Sequence, residues 1–155
     1  MNLQQRYTVP ASRSRVWDFL MDVPAVTRCV PGVESMTPRS EDEFEGHLRL
    51  KVGPISLRFE GVVTVVERDQ ANWQAALKAE AKDRKVGGGV HATSRLTLEE
   101  KASQETEILI QTELRFLGKI GEFGQPVIRR KADEVTAQFV RNLTTALAEG
   151  SSAKP

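Results

Sequence analysis

The sequence is poor in the residues that reactive and cross-linked proteins rely on. Its 155 residues include one cysteine, two histidines and few aromatics: six Phe, two Trp and one Tyr. A lone Cys29 forms no internal disulfide, which points to a reducing compartment. One cysteine and two histidines also fall short of the four clustered ligands of a structural zinc site. No apolar run approaches the roughly 20 residues of a spanning helix. The opening residues Met1 to Arg6 lack the apolar centre of a signal peptide. Neither sign of charge dominates: 22 Lys and Arg face 21 Asp and Glu, a net charge of +1. No global field therefore draws the chain to nucleic acid or an anionic bilayer. Repeats and low-complexity tracts are absent too. The expectation is one domain over residues 1–148 with a flexible polar tail at 149–155, cytoplasmic, with membrane contact peripheral at most.

What is present is a change of period. Leu3 to Val9 alternates as a strand and Pro10 ends it. Ser12 can cap a short helix to about Met21, with Val16, Trp17 and Leu20 on one side. Asp22 can cap a second, with Pro24 in its first turn and Pro31-Gly32 stopping it after Cys29. From Phe44 the period is two. Phe44, Gly46, Leu48 and Leu50 share a face, as do Ile55, Leu57, Phe59, Gly61, Val63 and Val65. Trp73, Ala75, Leu77 and Ala79 follow, then Val90 to Leu98, then Thr106 to Phe116. With the first strand this makes about six strands with one apolar face, the pattern of an antiparallel sheet with one wet side. Pro126 opens a long helix to about Ala148, with Val127, Val135, Phe139, Leu143 and Leu147 as its apolar stripe. The order predicts an α+β layout, a curved sheet with its concave face around the last helix.

The inward register is rich in small residues: Gly46, Gly61, Ala75, Ala79, Ala92 and Ser94. A solid core packs to crystal-like density, and this inventory is short of volume. A central cavity and a flatter, filled sheet are both compatible with the pattern. The chemical candidates are weak. Cys29 would need a base in reach, and His47 and His91 fall on the outward register, so Cys29 reads as a small buried apolar residue at a helix end. Asp22 and Glu34 are not paired as acid and base. Gly87-Gly88-Gly89 has neither the spacing nor the following helix of a phosphate loop and reads as a flexible hairpin tip. Arg129-Arg130-Lys131 is a basic run early in the long helix, a solvated face or a contact for lipid or an acidic partner.

Several stretches carry a family resemblance. They are Val16-Trp17-Asp18-Phe19-Leu20 with Asp22, Cys29-Val30-Pro31-Gly32-Val33-Glu34, Lys51-Val52-Gly53-Pro54-Ile55, Phe59-Glu60-Gly61, and the spaced Gly118, Gly121 and Gly124. Over residues 1–148 the chain resembles the carbon monoxide dehydrogenase CoxG family of the START/Bet v 1-like (SRPBCC) superfamily. The resemblance implies a helix-grip fold: a curved antiparallel sheet of about six to seven strands around a long C-terminal helix, with two short helices after the first strand. It also implies a non-catalytic accessory protein of a molybdenum hydroxylase of the carbon monoxide dehydrogenase type. Members are associated with tethering that enzyme to the inner face of the cell membrane and with holding a quinone in the central cavity. No catalytic cofactor and no metal are implied.

Combining register with resemblance, the candidate ligand-binding residues are Leu57, Phe59, Gly61, Trp73, Leu77, Ala92, Ser94, Leu96, Ile110, Thr112, Leu114, Phe123, Val127, Val135 and Phe139. Ser94 and Thr112 are the polar inward groups placed to orient a quinone carbonyl; that assignment comes from register and is no family motif. The mouth is expected near Gly87 to Gly89 and Gly118 to Gly124. Longer members carry a C-terminal tail associated with the membrane. This sequence ends soon after its last helix, so membrane or partner contact is expected of the 118–124 loops or of Arg129, Arg130 and Lys131. Two alternatives stay open: a structural adaptor with a solid interior, and an enzyme of the cyclase or dehydratase kind, which would need ionisable groups pointing inward.

Overall fold

The computed structural model describes residues 1–152, with side chains through Gly150. Two capped turns set its beginning. Strand β1 (Asn2–Val9) runs into helix α1 (Arg13–Met21), where the Ser12 hydroxyl accepts the N–H of Arg15 at 3.3 Å. The Asp22 carboxylate accepts the N–H of Ala25 at 3.2 Å and starts α2 (Val23–Thr27), whose Pro24 sits where no N–H is needed. Six more strands follow: β2 (Val33–Pro38), β3 (Glu43–Val52), β4 (Ile55–Asp69), β5 (Gln74–Lys82), β6 (Gly88–Ala102) and β7 (Glu105–Gly118). A 3-10 turn, Lys119–Phe123, leads into α3 (Gln125–Ser152).

All neighbours in the sheet are antiparallel, in the order β1-β7-β6-β5-β4-β3-β2. The inward register matches the alternation in the sequence: Phe44, Leu57, Phe59, Ala75, Leu98 and Ile108 are all buried. Strand β2 was not expected from the sequence. Its residues Val-Glu-Ser-Met-Thr-Pro place Val33 and Met36 opposite the inward Leu48 and Gly46, and the bulge between Val33 and Ser35 breaks the alternation, which suits an exposed edge and leaves no periodic signal. Residues 149–152 continue α3, so the helix passes the end expected at Ala148; the rest of the expected tail, 153–155, lies outside the described residues.

Three local readings change. Trp73 does not begin a strand. It has φ +54° at the end of the 3-10 turn Gln70–Asn72, and its ring stands edge-on to Trp17 with centroids 5.9 Å apart. Gly61 is not a space-making residue. A Cβ there would lie 2.2 Å from the Glu80 carbonyl oxygen and 2.7 Å from the Ala81 Cβ, so glycine permits the close approach of β4 and β5. The Gly87-Gly88-Gly89 stretch is not a free hairpin tip. The Lys119 N–H donates to the Gly87 carbonyl at 3.0 Å, and Gly88 pairs with Gly118. The preceding turn is closed by Asp83, only 2% exposed, whose carboxylate accepts the N–H groups of Arg58, Lys85 and Val86 at 2.7 to 2.8 Å. Burial pushes this carboxyl up, but the three N–H donors and the Lys85 charge outweigh it and hold the pKa below the usual carboxylate value.

The buried apolar residues form two clusters. The first joins Val9, Val16, Trp17, Ala75, Leu98 and Ile108 to Val140, Leu143 and Leu147 of α3. The second joins Val52, Leu57 and Phe59 to Ile120 of the 119–123 turn. The concave sheet is thus closed at one end by helices α1 and α3 and at the other by a turn.

Candidate functional site

Between the two clusters lies a stretch of concave surface that neither one covers. Ala79 of β5, Ala92 and Ser94 of β6, and Thr112 and Leu114 of β7 all belong to the inward register, sit in neither cluster and keep partial exposure. In a filled core these small side chains would be buried. Leu77, opposite Ser94, shares that middle zone. The only hydroxyl pair here is Ser94 with Thr112, oxygen to oxygen 3.0 Å. One of the two must donate to the other, so the pair presents a single remaining O–H to a third partner.

A groove of about 470 Å³ opens at the edge of this zone. It is an open groove along the end of β7 that β1 does not cover: its walls are Met1, both inward (Leu114, Phe116) and outward (Arg115, Leu117) residues of β7, Gly121 from the 119–123 turn, and Gln125 and Ile128 from the start of α3. That volume lies within the range of small-molecule sites. Gly121 lines this groove, whereas Gly87 to Gly89, expected at the same mouth, are stitched to the turn and do not.

The expected lining residues divide into four groups. Trp73, Leu96, Ile110 and Phe139 pack against the first cluster. Leu57 and Phe59 are core members of the second, and Phe123 packs on it. Leu77, Ala92, Ser94, Thr112 and Leu114 lie between by strand register, Gly61 stands in the row of Ala81, Val90 and Phe116 at the second cluster, and Val135 is partly exposed on α3. Val127 stands apart, 37% exposed. Phe116, Gly121, Gln125 and Ile128 were missing from the expected lining. Ile128 was findable, since it lies seven residues before Val135 and shares its face of α3.

The basic run splits in the same way. Arg129 and Arg130 are exposed, and Arg129 reaches the Asn2 carbonyl at 3.5 Å. The Lys131 side chain is only 22% exposed and pairs with Glu134 at 3.5 Å.

Titratable groups lie elsewhere. From Phe44 to Val65, from Ala75 to Ala81, from Val90 to Leu98 and from Thr106 to Phe116, the inward register carries no carboxylate and no histidine among the described residues; Glu100, opposite Thr106 at the far end of β6, continues that register but is exposed. His47 bonds Ser35 at 2.8 Å, and His91 accepts from Arg115 at 3.3 Å beside a shallow hollow of about 160 Å³ lined chiefly by outward residues. Cys29 is 4% exposed; burial raises its thiol pKa against a smaller opposing effect of Arg28, so the neutral form is held. Its carbonyl accepts the Asn142 amide at 2.9 Å, which ties α2 to α3. Among the described residues no group of three or more His, Cys, Asp or Glu could hold a metal ion, and no helix is long and apolar enough to cross a membrane.

Sequence comparison gives the family. Residues 6–148 match the profile of the CoxG subunit of carbon monoxide dehydrogenase. The chain belongs to the CoxG family. That family is named for one component of a larger enzyme, so the family-level description is of an accessory protein. No curated protein matches the chain significantly. Among solved structures, a conserved protein from Geobacillus kaustophilus is similar with a TM-score of 0.88 at 17% identity, over 96% of each chain. A START superfamily protein from Mycobacterium smegmatis has a TM-score of 0.68 at 10% identity, covering 96% of this chain and 97% of its own. The Zhui aromatase/cyclase from Streptomyces sp. R1128 has a TM-score of 0.70 at 13% identity, covering 99% of this chain and 96% of its own. At these identities the likeness is one of fold: the CoxG chain has a START-like α+β architecture.

Proposed function

We propose that this CoxG-family chain is a non-catalytic carrier that holds an apolar ring ligand, a quinone, on the middle of its concave face. It would serve a molybdenum hydroxylase of the carbon monoxide dehydrogenase type, near the inner face of the membrane. The observation that carries the reading is the uncovered zone between the two clusters, small and apolar, with one hydroxyl pair at Ser94 and Thr112. A quinone is flat, largely apolar and bears carbonyl acceptors. The single O–H left by that pair matches one such acceptor. The absence of inward carboxylates and histidines from the stretches around the zone argues against acid–base chemistry there. Exposed Arg129 and Arg130, beside exposed Leu117 and Val127 at the groove end, are the residues proposed for partner or headgroup contact.

The test is mass spectrometry of an organic extract of the protein, purified without detergent from a quinone-containing host. The reading expects near-stoichiometric quinone in wild type and a large loss in Ala92→Phe. An empty extract, together with no thermal stabilisation by added quinone, would move the assignment to a ligand-free adaptor.

A further inference from the structure

The 119–123 turn lies between two positive-φ glycines. It is bracketed by Gly118 at φ +65°, ψ −148° and Gly124 at φ +86°, ψ +147°. Both lie close to a region of backbone space that is essentially reserved for glycine. Neither end is closed by a side-chain cap: Gly118 makes no capping bond of that kind, and Gly124 has no side chain. Between the brackets, Ile120 is 2% exposed and locks into Val52, Leu57 and Phe59, while Gly121 forms one wall of the groove. The turn is therefore at once the plug of the second cluster and a side of the opening to the uncovered zone. One backbone bond, from the Lys119 N–H to Gly87, links it to the β5–β6 connection.

We infer that residues 118–124 form a gate, a rigid turn that swings on Gly118 and Gly124 to admit ligand to the concave face. The inference rests on the cavity reading above. Closed, Ile120 sits in its apolar socket. Open, Ile120 leaves Leu57 and Phe59, and the groove beside Leu114 and Phe116 widens toward Ala92 and Ser94. Opening gives up the burial of Ile120, the packing of Phe123 on the same cluster and the backbone bond from Lys119 to Gly87, a local loss of the kind that loop gates make on the microsecond-to-millisecond scale.

The geometry supplies its own lock. A Cβ built on Gly121 lies 3.5 Å from the Phe116 Cβ, at the short end of the range for a disulfide. Gly121 has no positive φ that would strain a side chain. The double variant Phe116→Cys/Gly121→Cys can thus be compared with itself, oxidised against reduced, while the buried Cys29 stays out of reach. The probe is 1-anilinonaphthalene-8-sulfonate, followed by stopped-flow fluorescence. The oxidised form should take up and release the dye at least about tenfold more slowly than the reduced form, at little change in final amplitude. A second variant acts with the opposite sign. Gly124→Ala has open room, its Cβ meeting nothing closer than Pro126 at 4.0 Å, so only the closed backbone conformation is penalised. It should exchange dye several-fold faster than wild type.

Equal rates in the oxidised and reduced protein, or an unaltered rate in Gly124→Ala, would overturn the gate. A decyl-substituted benzoquinone run in parallel separates the two ideas. If the dye responds to the lock and the quinone does not bind, the gate stands and the quinone assignment fails. If the quinone binds at equal rates locked and unlocked, the assignment stands and the gate fails. If wild type takes up neither probe, both fall.

Discussion

Within the single helix α3, Leu143 is fully buried and Leu147 is 5% exposed, whereas Val127 near its start is 37% exposed. Both ends carry apolar residues at helical spacing, yet only one end is packed. The C-terminal half lies against α1 and the sheet through Phe139, Val140 and Leu143, and Asn142 holds α2. The N-terminal half puts Gln125 and Ile128 in the wall of a groove. The difference assigns stability to one end of the molecule and leaves the other free to exchange contacts with a ligand.

The comparison breaks most readily at its packed end. Leu143→Ala removes a fully buried side chain and should cost about 2–5 kcal/mol in urea unfolding. A loss under about 1 kcal/mol would mean that this end is as loose as the other. Asp83→Asn, at the second cluster, should lower stability at neutral pH by a smaller amount, because the amide cannot serve all three N–H donors as a carboxylate does. The sign with pH follows from the depressed folded pKa. The carboxylate stabilises the fold above the unfolded value of about 3.9. This is lost as pH falls through the lower folded value. Wild type and Asp83→Asn should therefore differ most near neutrality and converge in acid; a constant gap would contradict the clip.

In the uncovered zone the effects invert, small on folding and large on binding. Ala92→Phe would cost about 1–3 kcal/mol in a filled core. Here it should cost less, while quinone binding by fluorescence titration is lost. The smallest effect belongs to Ser94→Ala. Alone it leaves the Thr112 O–H free to take its place, so the informative variant is Ser94→Ala/Thr112→Val, which removes both hydroxyls and should weaken quinone affinity by about two- to tenfold, the worth of one hydrogen bond. An unchanged affinity would remove the pair from the site.

Much of this was legible in the sequence, and for a physical reason in each case. Ser12 and Asp22 announced both short helices because a capping side chain has a local partner three residues on. The period-two faces of β3 to β7 were readable because one face is buried. Cys29 was correctly placed as a buried residue near a helix end, since neither histidine shared its register. The failures came from tertiary demands. Gly61 looked like empty volume, but a neighbouring strand requires it. Strand β2 carries no pattern because an edge needs little. Asp83 gave no signal, because its three donors lie on β4 and in a turn that only the fold brings together. The middle zone was half visible: its small residues could be counted, but two clusters on either side of it could not.

The most direct measurement is an amide NMR titration of the isotopically labelled protein with a short-chain quinone. The account predicts shifts concentrated at Ala92, Ser94, Thr112 and Leu114 and at Gly121 of the groove, with Leu143 and Leu147 unmoved. Shifts confined to the outer-face residues His91 and Arg115, or no shifts at saturating quinone, would contradict it.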